Sequence, residues 1–322
     1  MKSGHRRVLP KLAQALAVLV VTWALFRMVG VRLEELDALR ASDWRPAAGP
    51  LVASAAVLLV VYLSHALLWR SVMADLDVGR PSVRTAIRVY FLASLGRYVP
   101  GKFWQVAGTA MLSHRAGLPP VGATAAAVLG QIAFLVTGAV FLAIVLPTGR
   151  AAAAAAAGVG VVVGSLLLAR SGVGERVASA VRNRLPRLAP VVDLAGRIRP
   201  AAAARWGLAY GLTWVVLGCA FILFVTSFEP NAAAHSRYVA GTVAASYLGG
   251  YIALFAPAGI GVREGVMGVL LAQVMPAPAA VVVALASRVW FTAVELLPLL
   301  ALPLLRDRAA APRRNPMLPE AP

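Results

Sequence analysis

The sequence predicts an all-α polytopic membrane protein with about six full spans plus two broken or re-entrant helical hairpins. Three observations carry that expectation. Of 322 residues, 60% are hydrophobic and 14% charged, with a mean hydropathy of +0.78, whereas soluble domains lie nearer half apolar and a quarter charged. Several apolar stretches reach the roughly 20 residues that a helix needs to cross about 30 Å of hydrocarbon. The positive charges gather in alternate segments between those stretches. A soluble enzyme of ordinary composition is excluded on the first observation alone.

In chain order, residues 12–31, 51–69, 121–146, 151–169 and 203–228 are long apolar runs, and 278–305 joins them despite Arg288 and Glu295. The first run follows a basic start, as a signal peptide would. It is followed by Arg32, Glu34 and Glu35 rather than by small residues, so it reads as a retained helix. Two regions do not fit a simple span. Residues 84–113 are interrupted at 96–102, and the halves are too short to cross at 1.5 Å per residue. Residues 239–275 are interrupted at 256–261, where either a re-entrant or a full hairpin fits. The breaks centre on Gly96, Pro100 and Gly101, and on Pro257, Gly259 and Gly261.

The formal net charge of +18 comes from 31 Lys and Arg against 13 Asp and Glu. If each broken region enters and leaves on one side, 21 of the 31 cations fall on inner segments and five on outer ones. That bias predicts a cell (plasma) inner-membrane protein with both termini cytoplasmic. Nucleic acid is not expected as a partner, because no basic segment is interleaved with aromatics. Residues 170–202 form a basic cytoplasmic loop, either a solvated loop or an amphipathic helix pair on anionic lipid. Residues 306–322 are expected to be a disordered tail. Trp44, Trp69 and Trp206 are expected as interface anchors.

Sliding the chain by 157 residues places Pro100 on Pro257, Gly108 on Gly265, Pro119 on Pro276 and Phe134 on Phe291. Repeat unit one would span 51–146 and unit two 203–305, each a helix, a broken hairpin and a helix. One intervening helix would invert the second unit, giving an inverted repeat within a single membrane domain. Gly261 and Gly265 also fit a plain helix-contact pattern.

Five cations remain at membrane depth: Arg27, Arg97, Lys102, Arg263 and Arg288. Arg27 reads as snorkelling. Ionisable groups at depth are costly and mark candidate sites. The substrate-binding candidates are Arg97, Lys102, Gln105, Gln131, Arg263, Glu264, Arg288 and Glu295. Their positive balance, beside backbone freed at the breaks, suits an anion such as phosphate. Two internal pairings compete with that reading, Arg263 with Glu295 or Arg288 with Glu264; a third alternative has Arg97 snorkelling at the interface. No catalytic residue, metal site or cofactor is expected: Cys219 is alone, the four histidines are scattered, and there is no P-loop, G-x-S-x-G or H-E-x-x-H motif.

Residues 95–105 (LGRYVPGKFWQ) and 259–265 (GIGVREG) resemble the lysylphosphatidylglycerol synthase transmembrane region family, also called flippase-like domain proteins. The first motif looks like a branch with Pro-Gly-Lys and Trp-Gln at the break. The resemblance covers roughly residues 10–305. It implies a flippase-like lipid transporter that moves an anionic or zwitterionic lipid between leaflets. The cargo would be an aminoacyl-phospholipid, a glycolipid or a polyprenyl-phosphate-linked lipid. It also implies a stand-alone form lacking the cytoplasmic aminoacyl transferase domain, and therefore no enzyme. The alternative is a membrane-embedded glycosyl or lipid transferase, or an accessory subunit of cell-envelope glycan synthesis. Membrane lipids that contain phosphate are the expected partners, with envelope-biosynthesis proteins as further ones.

Overall fold

A computed structural model describes residues 45–98, 103–146, 189–253 and 259–300, with a few positions between 176 and 184. The spans expected at 12–31 and 151–169, Trp44, Arg27 and the tail 306–322 lie outside the described residues.

Among the described residues the regular structure is helical. The order is α1 (Ala48–Asp75), α2 (Val83–Ser94), a 3-10 turn (Leu95–Tyr98), α3 (Phe103–Arg115), α4 (Pro120–Val145), α5 (Ala189–Gly196), α6 (Pro200–Phe228), a second 3-10 turn (Pro230–His235), α7 (Ser236–Ile252), α8 (Val262–Leu271) and α9 (Ala277–Leu300). Four of these helices, α1, α4, α6 and α9, are long and apolar enough to cross a membrane. Each presents large apolar side chains outward, among them Val52, Ile132, Leu208 and Val289, which a hydrocarbon environment accommodates.

The long helices alternate with short ones for local reasons. Ser82 caps α2, its Oγ accepting the Thr85 N–H at 3.1 Å. The chain tightens at Leu95–Tyr98 into a 3-10 turn, so α2 stops after 12 residues. Proline at the first turn starts α4 and α6, where its missing N–H is harmless. Gly259 and Gly261 hold positive φ angles of 69° and 84°, which side chains with a Cβ rarely adopt. The chain therefore reverses there and α8 begins. At 17 and 10 residues, α7 and α8 are about 25 and 15 Å long. The shorter, α8, does not reach across the roughly 30 Å hydrocarbon core by itself.

Two contacts fix the direction of α1 against α6. The Ala47 N–H donates to the Ser227 carbonyl at 2.7 Å, tying the start of α1 to the end of α6. At the other end, Asp75 receives Arg205 Nη2 at 2.6 Å and Trp206 Nε1 at 2.8 Å. The two helices therefore run antiparallel, and each begins a unit of long helix, short pair and long helix. The first residues of α4 and α9, Pro120 and Ala277, are 157 positions apart, the offset read from the sequence. The neighbours also correspond: α1 packs on α2 as α6 packs on α7, and α9 crosses α1 and α2 as α4 crosses α6 and α7.

The tryptophans differ from expectation. Trp69 and Trp206 are buried. Trp69 Nε1 donates to the Ala123 carbonyl at 2.9 Å, and Trp206 holds Asp75. They join helices rather than anchor at a lipid interface. Part of the basic loop is also ordered: α5 packs on α4, and Arg182 meets Asp193 at 3.0 Å.

The core between α4 and α6 is aromatic. Phe134 stacks on Trp214 with ring centres 4.4 Å apart, and Trp214 Nε1 donates to the Phe134 carbonyl at 2.8 Å. The Trp214 ring lies against Gly138, so a Cβ there would collide with it. Small residues at such crossings let membrane helices approach. Gly138→Val should therefore lose about 1–3 kcal/mol through overpacking, seen as a lower thermal unfolding midpoint in detergent. An equal substitution at Gly207, where no neighbour lies within 4 Å, should change it far less.

Candidate functional site

The two breaks converge on the middle of α9. From the first, Arg97 reaches across so that its Nη2 lies 3.3 Å from Glu295 Oε1. From the second, Glu264 lies on the first turn of α8, with its Oε1 3.6 Å from Arg288 Nη1. Arg288 and Glu295 are seven residues apart on α9, two turns along one face. One helix thus offers a cation to one break and a carboxylate to the other. Both carboxylates are buried, where an unpaired charge would be costly.

Of the two pairings considered from sequence, Arg288–Glu264 forms. Arg263–Glu295 does not, because Arg97 occupies Glu295 instead. Arg97 also donates through Nε to the Ser94 carbonyl at 3.2 Å. It therefore sits inside the helix bundle and does not snorkel at an interface. Glu264 also acts on the backbone, because its Oε2 accepts the Gly261 N–H at 2.7 Å. That contact caps α8 and places the carboxylate at a helix N-terminus, which suits negative charge.

Arg263 is the third cation. Its guanidinium carbon lies 5.0 Å from the ring centre of Tyr247 and 4.9 Å from that of Phe291, a cation–π arrangement. Its stem runs between Gly250 and Gly259, and a Cβ on Gly250 would collide with its Cγ. Among the described residues no carboxylate stands within ion-pair distance of it. Three guanidiniums therefore face two carboxylates, and the surplus positive charge belongs to Arg263.

These side chains border a cavity of about 250 Å³. Arg97, Gln105, Gln131, Arg263, Arg288, Glu295 and Gly259 line it; Glu264 does not, being turned to its cap and to Arg288. A narrower lobe of about 110 Å³ shares Arg97, Gln105, Gln131 and Arg263 and runs deeper, to His65, Tyr90 and Tyr210. Gly96 lies at the first break, where a Cβ would collide with the backbone of Trp104 and Gln105; that closeness packs the turn onto α3. Pro100, Gly101, Lys102 and Pro257 fall outside the described residues.

The cavity also contains residues that sequence reasoning passed over: Tyr62, Thr109, Thr124, Tyr247 and Phe291. Tyr62 donates to the Phe291 carbonyl at 3.2 Å, joining α1 to α9. A signal was present in Tyr62 and His65, three positions apart within the long apolar run 51–69. Thr124 Oγ1 and Gln131 Nε2 are buried without a hydrogen-bond partner, although buried polar atoms are usually paired. Among the described residues, no three His, Cys, Asp or Glu side chains group as a metal site would.

Removing one member of the Arg97–Glu295 pair should destabilise the fold by more than removing both. Glu295→Gln strands Arg97 and should cost on the order of 3 kcal/mol. Adding Arg97→Gln should restore most of that loss, as read from unfolding midpoints of the two single variants and the double.

The comparisons with known proteins agree with this architecture. The family described as Lysylphosphatidylglycerol synthase TM region matches residues 12–298. No curated protein and no solved structure matches the chain. With nearly the whole length matched and four helices suited to a bilayer, the chain is a membrane protein that belongs to the lysylphosphatidylglycerol synthase transmembrane region family.

Proposed function

We propose that the protein is a flippase-like transporter that moves an anionic or zwitterionic lipid between the leaflets of the plasma (inner) membrane. The observation that carries this reading is the cavity between the two breaks. Its interior offers Arg263, with Arg97 and Arg288 beside it in ion pairs, and a guanidinium group binds phosphate oxygens through two parallel hydrogen bonds. Its border includes Val106, Ile132 and Tyr251, which are exposed on the helix surface. A lipid headgroup fits the polar interior while its acyl chains stay in hydrocarbon.

The antiparallel α1 and α6, and the matching neighbours around them, support an inverted repeat as part of this reading. Breaks at depth are tolerated where they line a cavity, and opposed repeats let such a site face each leaflet in turn. The bias of the basic segments supports a reading with both termini in the cytoplasm. Arg97–Glu295 and Arg288–Glu264 would each separate and re-form as the hairpins move past α9.

Liposomes containing the purified protein and an acyl-labelled phospholipid test it. Label in the inner leaflet should become accessible to an external quencher over time. Arg263→Gln should slow that exposure by about tenfold or more, the loss of one charge-assisted contact. Unchanged leaflet asymmetry with every phosphate-containing lipid would reject the proposal. Formation of a new lipid product instead would favour a transferase.

A further inference from the structure

Resting on the transport reading, the lining of the cavity bears on which phosphate-containing headgroup it accepts. Among apolar and aromatic side chains, its lining also carries neutral amides and hydroxyls, those of Gln105, Gln131, Thr109, Thr124 and Thr292. Thr124 and Gln131 are seven residues apart on α4, so both face the same side. Gln131 Nε2 and Thr124 Oγ1 are buried and unpartnered. An amide both donates and accepts hydrogen bonds, as does a hydroxyl. Such a surface matches a ligand whose own groups both donate and accept, as the hydroxyls of glycerol or a sugar do.

The charges point the same way. An ammonium group donates only, and when buried it is stabilised most by a neighbouring carboxylate. The carboxylate that lines the cavity, Glu295, meets Arg97 at 3.3 Å, and Glu264 is turned away to Gly261 and Arg288. A cationic headgroup would instead face Arg263, which forms no ion pair among the described residues. Like charges within a low-dielectric site repel strongly.

We propose that the substrate is a phosphodiester lipid whose headgroup bears hydroxyls and no cation. The phosphate rests on Arg263, the hydroxyls on Gln131 and Thr124. An aminoacyl headgroup such as lysyl is selected against.

The test uses the full-length protein in liposomes with acyl-labelled phosphatidylglycerol, phosphatidylinositol, lysyl-phosphatidylglycerol and phosphatidate in separate arms. Phosphatidylglycerol or phosphatidylinositol should be moved about tenfold faster than the lysyl lipid, and whichever is faster distinguishes a glycerol from a ring polyol. Gln131→Leu should slow the hydroxylated lipids and leave phosphatidate, which has no headgroup hydroxyls, nearly unchanged. Equal or faster movement of the lysyl lipid would overturn the proposal, as would an equal effect of Gln131→Leu on all four. Should no lipid move, competitive binding in detergent separates the two claims. Retention of hydroxylated lipid over lysyl lipid would sustain the selectivity while transport fails, and the absence of any preference would reject the selectivity as well.

Discussion

The structure depends on how α9 neutralises the two breaks. A break in a membrane helix exposes backbone groups that nothing in hydrocarbon can satisfy, and each break here also carries a charge. α9 meets Arg97 with Glu295 and Glu264 with Arg288, two turns apart on one face. The signs are crossed: one break supplies the cation of its pair, the other the anion. α9 therefore holds both hairpins while adding no net charge of its own from these two residues.

That cancellation gives Arg263 its distinct character. It is held by packing and not by an ion pair, with glycines beside its stem and two aromatic rings beneath its guanidinium. Cation–π contacts are weaker than a desolvated ion pair and leave the in-plane N–H donors available. In the transport reading proposed above, a group fixed in this way would meet an anion without a carboxylate to displace. Glu264 contributes indirectly, by capping α8 and so setting where the neighbouring Arg263 emerges.

Much of this was legible in the sequence. Apolar run length identified the long helices because the bilayer imposes one thickness on every span. The starts of α4 and α9 lie 157 residues apart, equal to the offset read from the sequence, and Gly259 and Gly261 announced the second break through their conformational freedom. What was not legible depends on distances between helices. Two carboxylates and several cations allow more than one pairing, and only the approach of the first break to α9 gives Glu295 to Arg97. Burial of Trp69 and Trp206 likewise follows from which helix lies beside them, since the same residue type serves lipid interfaces and polar buried contacts equally well. Tyr247 was hidden because tyrosine in an apolar run reads as filler until a cavity lies beside its ring.

The central claim is that the paired charges hold the architecture while Arg263 meets the anion. Phospholipid that co-purifies with the protein in mild detergent, quantified by phosphorus content, tests it most directly. The doubly neutralised Arg97→Gln, Glu295→Gln protein should retain bound phospholipid close to the unaltered level, whereas Arg263→Gln should lose most of it. Retention by Arg263→Gln together with loss in the doubly neutralised protein would contradict the account.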